Sequence, residues 1–523
     1  MNLPAINPSR LRLRGDHLTL VLLVFGIVVA YILAKYIIND QIHELEFIVV
    51  GAAVCALVVF ILNKWRTGLV IFLVWLLFED LVRKYLGNNM AIYFGKDVLA
   101  AVFYLSFFMA IRKEKIRLFK PPFRIPLLLM IWFGVIQVFN PASPSIFFGL
   151  MGFKLFFFYV PLVLVGYSLL NSEGELRHFF FLNLTLVLII GSLGIAQSII
   201  GHTFLNPAVL QEDIRDMATL YRASPITGLV SYRPTSVFVS TGRYVNFLIV
   251  GWQLALGFTG YLLFRRREGR IFAFIVVVVT AAALILTASR GAFMWEFINI
   301  LVFSIAFLWG APWRTREVVR VLRTIQRTGL GLIMAFVLLF FIFPDALKSR
   351  LSLYSETLSP NSPNSELVHR ARDYPIANFL IAFNDARWAY GYGIGTSGLG
   401  TQYVIRLFHV RPILSSVESG FGALIIEQGI VGLLLWFIMG GAIVFSAWRV
   451  VRQLRGSAWF PLAFVIFWFA FLLLFPLTFG GIVLYEDFVL NAYFWLLLGI
   501  LFRLPDLALS ENFAVRLRDD LQG

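Results

Sequence analysis

Residues 271–291 read IFAFIVVVVTAAALILTASRG, and the first charged residue in this stretch is Arg290. About 20 consecutive apolar residues cross the hydrocarbon core of a bilayer as a helix. The stretch therefore predicts a membrane-spanning helix that ends beside Ser289-Arg290-Gly291. Runs of the same kind recur along the chain, so this type of stretch decides the fold class.

The composition extends this prediction to the whole chain of 523 residues. Hydrophobic residues make up 59% and charged residues 14%, whereas soluble domains are about 45–50% apolar and about 25% charged. We predict an all-α polytopic membrane protein. A net charge of +15 would suggest a nucleic-acid partner in a soluble protein. Cytoplasmic loops of membrane proteins also collect Lys and Arg, so we predict membrane lipids and no nucleic acid as partners.

The sequence offers no metal or cofactor signature. Cys55 is the only cysteine, which excludes an intrachain disulfide, and the six histidines are scattered without ligand spacing. We therefore predict neither a metal site nor a cofactor.

Fourteen stretches are candidate membrane spans. The first follows the basic segment Met1–Asp16 and is too long for a signal-peptide core, so we interpret it as an uncleaved span. The third is the weakest, because it is short and is interrupted by Glu79 and Asp80. The candidate spans lie near 18–38, 47–63, 67–82, 96–111, 123–140, 150–171, 178–200, 244–264, 271–289, 292–310, 329–344, 419–447, 457–479 and 485–502.

The connections between these spans alternate in charge. Every second connection is basic, as in the run from Arg112 to Arg124. Because cytoplasmic loops collect Lys and Arg, we place both termini in the cytoplasm. The predicted parts are N-terminal spans (1–200), a first periplasmic loop (201–243), central spans (244–344), a second periplasmic loop (345–417) and C-terminal spans with a short tail (418–523).

The two long loops, 201–243 and 345–417, carry ten arginines but a single lysine. Guanidinium is a rigid fork that binds phosphate through two hydrogen bonds, whereas lysine is a point charge. This bias indicates an anionic, phosphorylated substrate. We expect helix in the second long loop from Glu366 to Ala389, opened near its start by Pro375.

Arg290 has two interpretations. It is either a snorkelling arginine, whose stem lets its charge reach the interface, or a fixed cation that binds a lipid phosphate at the membrane surface. Gly291 would let such a ligand approach the backbone closely.

The second long loop carries Arg370 and Arg372 about twenty residues before the glycine run Gly391–Gly395. Both arginines are candidate substrate contacts, although solvated loop arginines remain the alternative. The glycine run lacks the strand and βαβ unit of a dinucleotide site, so we interpret it as a tight backbone turn.

Glu418 also has two interpretations. With Ser415 it forms a capping-box pattern, and a glutamate there suits the helix dipole. Alternatively it is a general base at the membrane surface. Glu427, Glu296 and Lys154 lie inside predicted spans, where structural pairing is expected. Lys154 is also included among the candidate substrate contacts.

Further candidate contacts lie in the first long loop. Arg233 is far enough from a span to bind a ligand, and Arg222 is a further candidate substrate contact. Arg243, next to Tyr244, fits an interfacial anchor and is also counted as a candidate substrate contact.

The order of these features resembles the O-antigen ligase-like superfamily, which includes O-antigen ligases and Wzy-type polymerases of bacterial surface polysaccharides. Three pieces carry the resemblance: Ser289-Arg290-Gly291, Arg372 followed by the glycine run, and Glu418 followed by Glu427-Gln428-Gly429-Ile430-Val431-Gly432. The resemblance covers about residues 221–440.

The resemblance implies an inverting, metal-independent glycosyltransferase in the bacterial inner membrane. It implies a glycan on undecaprenyl diphosphate as substrate, presented at the periplasmic face. By position, Arg290 and Arg372 would hold the diphosphate, with Arg233 as a weaker candidate. Our own hypothesis adds Glu418 as the base that deprotonates the acceptor hydroxyl. A chain-length regulator is a further partner to consider.

One departure bears on the choice within the family. Ligases of this group usually carry a histidine, often as His-Asn, nine residues before Glu-x-Gly, where this chain has Glu418. The departure favours a polymerase of repeat units, particularly an exopolysaccharide type. The alternatives are a ligase that moves polymer onto lipid A core and a transporter of the same carrier lipid.

Overall fold

The computed structural model describes most of the chain. Two predicted spans, near 18–38 and 329–344, lie wholly or largely outside the described residues, as do Arg370, Arg372 and Ser415. The described residues are 42–86, 90–116, 118–207, 220–224, 226–265, 267–312, 334, 337, 340–341, 344–359, 374–413 and 417–520.

The protein is an all-α membrane protein, as the composition predicted. Within the described residues, eight helices are long and apolar enough to cross a membrane, and three shorter helices are apolar. The first helices are α1 (Ile42–Asn63), α2 (Trp65–Tyr85), α3 (Met90–Lys113), α4 (Arg124–Val138), α5 (Ile146–Phe157), α6 (Leu162–Leu169), α7 (Glu173–Ile200), α8 (Thr241–Arg265), α9 (Arg270–Leu286) and α10 (Arg290–Gly310). The others are α11 (Pro344–Leu358), α12 (Tyr374–Ile381), α13 (Gly400–Phe408), α14 (Gly420–Gln453), α15 (Phe460–Leu472), α16 (Val483–Glu486) and α17 (Phe488–Asp520). After α15 the chain continues as a π-helical turn (Leu473–Leu477) and a short helical turn (Thr478–Gly480).

The chain forms two compact units. The smaller one holds the described part of residues 1–69 together with Ala101–Phe108. In it, Trp65 packs edge-on against Phe107, and the Ser106 hydroxyl donates to the Ile61 carbonyl at 2.6 Å. The larger unit holds Val70–Ala100 and the chain from Met109 onward, and the candidate site lies within it.

The predicted third span is a complete helix despite its acidic residues. α2 runs through Glu79 and Asp80 to Tyr85, and both carboxylates are buried. Buried charges require partners, and these acids have them, as described below. The total of fourteen spans stays a prediction.

The second long loop contains helix, as expected. α12 and a 3-10 turn (Ala382–Asn384) lie within the expected 366–389, whose first residues, 366–373, are outside the described ranges. α13 and nearly all of α11 lie in the same loop outside the expected range. Pro375 lies in the first turn of α12. Proline is tolerated there because first-turn N–H groups have no partner inside a helix. The first long loop contains two short strands, β1 (Tyr221–Ala223) and β2 (Val230–Tyr232).

The glycine run is a tight turn, as predicted, and it packs against a kink in α14. Gly391, Gly393 and Gly395 have φ of 71°, 108° and 83°. The kink is at Gly429, with φ of 68°. The N–H of Gly393 donates to the Glu427 carbonyl at 2.8 Å. Glycine is required here because positive φ and close backbone approach coincide.

Replacing Gly395 by alanine is expected to lower thermal stability. An added Cβ would overlap the Phe148 carbonyl oxygen and Gly152, and a left-handed backbone costs alanine about 1–2 kcal/mol before any clash. Thermal unfolding of the purified protein in detergent measures this loss. Gly441→Ala is the matched control, since a Cβ at Gly441 meets no atom within 4 Å. Equal unfolding temperatures for the two variants would contradict the prediction.

Candidate functional site

A short hairpin in the first long loop determines the face from which two arginine side chains project. β1 pairs antiparallel with β2, and Arg222 lies opposite Ser231. The N–H of Arg233 extends the ladder by donating to the Leu220 carbonyl at 2.7 Å. Because side chains alternate between the two faces of a strand, Arg222 and Arg233 project from the same face.

Arg350 of α11 joins this hairpin to the end of α9. Its side chain is 2% exposed. Its Nε donates to the Leu286 carbonyl at 2.7 Å, and its Nη2 donates to the Tyr232 carbonyl at 2.8 Å. Tyr354, one turn later, donates to the Ile285 carbonyl at 2.8 Å. Burial lowers the pKa of Arg350 to about 10, which leaves the guanidinium charged at neutral pH.

Arg290 is the first residue of α10, shortly after α9 ends at Leu286. Ser289 caps α10, because its side chain accepts a hydrogen bond from the Ala292 N–H at 3.4 Å. A Cβ added to Gly291 would meet no atom within 4 Å. The position beside Arg290 is therefore open, and Arg290 itself stands at the N-terminus of a 21-residue helix, the end that carries a partial positive charge.

These elements bring three arginines, Arg222, Arg233 and Arg350, around Tyr354, and Arg290 lies close enough to Arg233 to act on it. We call these four arginines the arginine cluster. Burial raises the pKa of the Tyr354 phenol. The positive charges of Arg350, Arg233 and Arg222 act on that phenol in the opposite direction. Burial lowers the pKa of Arg233, and the positive charge of Arg290 lowers it further. Within the cluster, the guanidinium groups of Arg233 and Arg290 are therefore close enough to repel each other.

Strained backbone lies beside both Arg290 and Arg233. Ala288 has φ of 52° and Ser236 has φ of 51°. A non-glycine residue in this left-handed region costs about 1–3 kcal/mol, and such strain collects at ligand-binding sites. Both strained residues are fully buried, so packing around them holds the conformation that presents the arginines.

A second group of charges is buried where α2, α3, α8 and α17 meet. Arg243 Nη1 lies 2.9 Å from Asp80 Oδ2, and its Nε lies 3.6 Å from Asp487 Oδ2. The prediction of Arg243 as an interfacial anchor is wrong, because its guanidinium is buried between these two carboxylates. We call the group the buried ion network; its members are Glu79, Asp80, Arg83, Lys96, Arg243 and Asp487.

The chain that follows Arg233 is fastened by buried polar groups. Lys84 Nζ donates to Thr235 Oγ1 and to the Ser236 carbonyl, both at 2.8 Å. Gln197 Oε1 accepts from the N–H groups of Thr235 and Ser236 at 2.8 and 2.7 Å. These bonds fix the backbone from which Arg233 extends.

The candidates inside spans have partners of different kinds. Lys154 forms an ion pair with Asp97, which agrees with the expected structural pairing. Glu296 is 8% exposed, and its negative charge raises the pKa of Tyr354 further. Glu427 accepts hydrogen bonds from backbone N–H groups of the second long loop.

Glu418 lies just outside α14 and is exposed. The helix begins at Gly420 with Ser419 as its N-cap, and no side chain caps it. The predicted capping box of Ser415 and Glu418 is therefore wrong, because Glu418 precedes the helix. Its backbone N–H donates to Asn378 Oδ1 at 3.2 Å, which ties it to α12 and not to the arginine cluster.

The structure brings together three of the predicted site residues, Arg222, Arg233 and Arg290. The roles of Arg370 and Arg372 stay predictions, since both residues lie outside the described ranges. The sequence analysis did not identify Arg350 and Tyr354, which hold the end of α9 and the hairpin in place. Their acceptors are backbone carbonyls, which every residue has, so no sequence pattern could have identified them.

No group of three or more His, Cys, Asp or Glu residues suited to a metal ion occurs among the described residues. No protein-family model matches this chain, and no curated protein matches it.

Proposed function

We propose that this protein polymerises polysaccharide repeat units carried on undecaprenyl diphosphate, by inverting, metal-independent glycosyl transfer. The observation that supports this most is the arginine cluster at the N-terminus of α10. Converging guanidinium groups and a helix N-terminus both favour an anion with several oxygens. A diphosphate at a membrane surface is such an anion.

In this proposal the arginines act on the leaving group. The hydroxyl oxygen of the acceptor sugar forms a bond to the anomeric carbon of the donor. The bond from that carbon to the diphosphate oxygen breaks, and the bonding electrons leave with the diphosphate. Arg290 and Arg233 stabilise the negative charge that develops there, as donors in an oxyanion hole do.

The proton of the acceptor hydroxyl needs a base, and we propose Glu418. Its carboxylate is exposed beside the membrane-spanning part of α14, where a sugar hydroxyl has access. In Glu418→Gln the side chain cannot take up this proton, and a much slower polymerisation rate is the expected result. Arg370 and Arg372 complete the proposed substrate contacts.

The proposed topology follows from the basic loops. Fourteen spans would cross the bacterial inner membrane with both termini in the cytoplasm and both long loops in the periplasm. The arginine cluster and the buried ion network each include residues of the first long loop or its junction with α8. Arginines gathered at the first long loop and at the start of α10 favour surface chemistry over a transport path through the bundle.

Analysis of carrier-linked glycans in a deletion strain tests the proposed function. Loss of a polymerase leaves single repeat units on undecaprenyl diphosphate. Long polymer on the carrier would instead indicate a ligase, and would contradict the proposal. A normal polymer distribution would contradict both functions.

Arg350→Lys is expected to lower kcat/KM about 100-fold, because small displacements of positioning groups have effects of this size. Lysine keeps the charge but lacks the planar fork that holds the Leu286 and Tyr232 carbonyls together. Lys348→Ala, an exposed position on the same helix, is the control. A normal rate for Arg350→Lys would show that charge alone suffices there.

A further inference from the structure

Two carboxyl groups lie together where the glycine run packs against the helices. Glu427 of α14 and Glu486 of α16 are both 0% exposed. Glu427 Oε1 accepts from the Ser397 N–H at 2.9 Å, and Glu486 Oε2 accepts from the Leu399 N–H. A Cβ on Gly398 would overlap the Glu486 carboxyl group. One short stretch of the second long loop is thus bound by two acids from different helices.

Each of the two carboxyl groups has a second oxygen that accepts no hydrogen bond from the described residues. Glu427 Oε2 and Glu486 Oε1 are buried and have no hydrogen-bond partner among the described residues. Burial raises the pKa of Glu486, and the negative charge of Glu427 raises it further. Two neighbouring carboxylates in a buried site strongly resist being ionised together.

The Lys and Arg side chains on the neighbouring elements form ion pairs with other acids. Among the described residues, the charge of the Glu486 carboxyl group is affected by its burial, by the charge of Glu427 and by the Leu399 N–H. No Lys or Arg of the described chain acts on it. The charged pairs on the neighbouring elements are Lys154 with Asp97, Lys96 with Glu79, and Arg243 with Asp487.

We propose that Glu427 and Glu486 bind one proton between them, and that the resulting carboxyl–carboxylate hydrogen bond fastens the stretch Gly391–Leu399 to α14 and α16. The proton joins the two oxygens that otherwise have no partner, while the other two oxygens hold the loop amides. This inference does not depend on the proposed function.

The proposal makes the attachment of this loop depend on pH in one direction. Because the two carboxyl groups share the proton in the folded protein, they hold it more tightly than a free carboxyl group would. The stabilisation is therefore complete below the ordinary glutamate pKa of about 4.3. Above that value the equilibrium constant for attachment of the loop falls about tenfold per pH unit. The stabilisation is lost once the pH exceeds the pKa of the folded pair.

Hydrogen–deuterium exchange of the full-length protein in detergent tests this proposal. After correction for intrinsic exchange, protection of the peptide that covers Gly391–Leu399 should fall by about tenfold per pH unit as the pair loses its proton. Glu427→Gln supplies a fixed N–H donor in place of the proton, so its protection should not change with pH. Glu486→Gln should behave in the same way.

The peptide that covers Leu462–Leu472 of α15 is an internal control, since no side chain in that stretch titrates. Protection of Gly391–Leu399 that is independent of pH in the wild-type protein would overturn the proposal. Equal pH dependence in the wild-type protein and Glu427→Gln would also overturn it. Recovery of wild-type protection at high pH on adding sodium would assign the two oxygens to a cation and not to a proton.

Discussion

Replacing Arg290 by alanine is expected to slow polymer formation about 100- to 1000-fold, the effect of removing one donor from an oxyanion-type site. Arg290 stands at the N-terminus of α10 beside open space, and its charge reaches Arg233. Both features place it where the leaving diphosphate would gain negative charge. The rate is measured with purified protein in liposomes and a lipid-linked repeat unit as substrate.

Arg406→Ala is the matched control for this variant. Arg406 is also an arginine of the long loops, but it is exposed near the end of α13, so its removal should leave the rate unchanged. Arg290→Lys restores the charge without the bidentate fork and should recover only part of the rate. Full activity of Arg290→Ala, with normal expression, would remove Arg290 from the mechanism.

Replacing Asp80 by alanine is expected to destabilise the fold by about 3–5 kcal/mol, because it leaves buried cations without their counter-charge. Asp80 accepts from Arg243 at 2.9 and 3.2 Å, and from Arg83 at 2.9 Å. Asp80 Oδ2, which accepts from Arg243 at 2.9 Å, also accepts from the Val239 N–H at 3.3 Å. Chemical or thermal unfolding in detergent, together with the yield of folded protein, measures the loss.

A paired substitution separates charge from packing in this network. Asp80→Leu combined with Arg243→Met removes both charges and fills the space, and such replacements are often neutral. The double variant should therefore be more stable than Asp80→Ala. If Asp80→Ala unfolds like the wild-type protein, the network contributes nothing to stability and our account of Arg243 fails.

The membrane-spanning helices were the most predictable part of the fold. The run near 178–200 became α7, which starts earlier, at Glu173, because the Ser172 side chain accepts a hydrogen bond from the Glu175 N–H. Apolar length reports the membrane-buried part of a helix. It does not report a polar first turn outside the bilayer, so the predicted boundaries of the helices were less accurate than the predicted locations of the spans.

The interactions among charges could be predicted only in part. Lys154 was expected to have a structural partner, and it pairs with Asp97. Arg243 was misassigned because its partner, Asp80, lies 163 residues earlier in the chain, and no local pattern joins the two. Arg290 and Arg233 were each proposed as substrate contacts from the sequence, and the structure places Arg290 close enough to act on the charge of Arg233.

The central claim is that the arginine cluster binds the diphosphate of a carrier lipid, and binding of undecaprenyl diphosphate to the purified protein tests it most directly. Titration followed by native mass spectrometry should show saturable binding to the wild-type protein and to Arg406→Ala. The claim predicts much weaker binding to Arg233→Ala and Arg290→Ala. Equal affinity for all four proteins, or no binding to the wild-type protein, would contradict it.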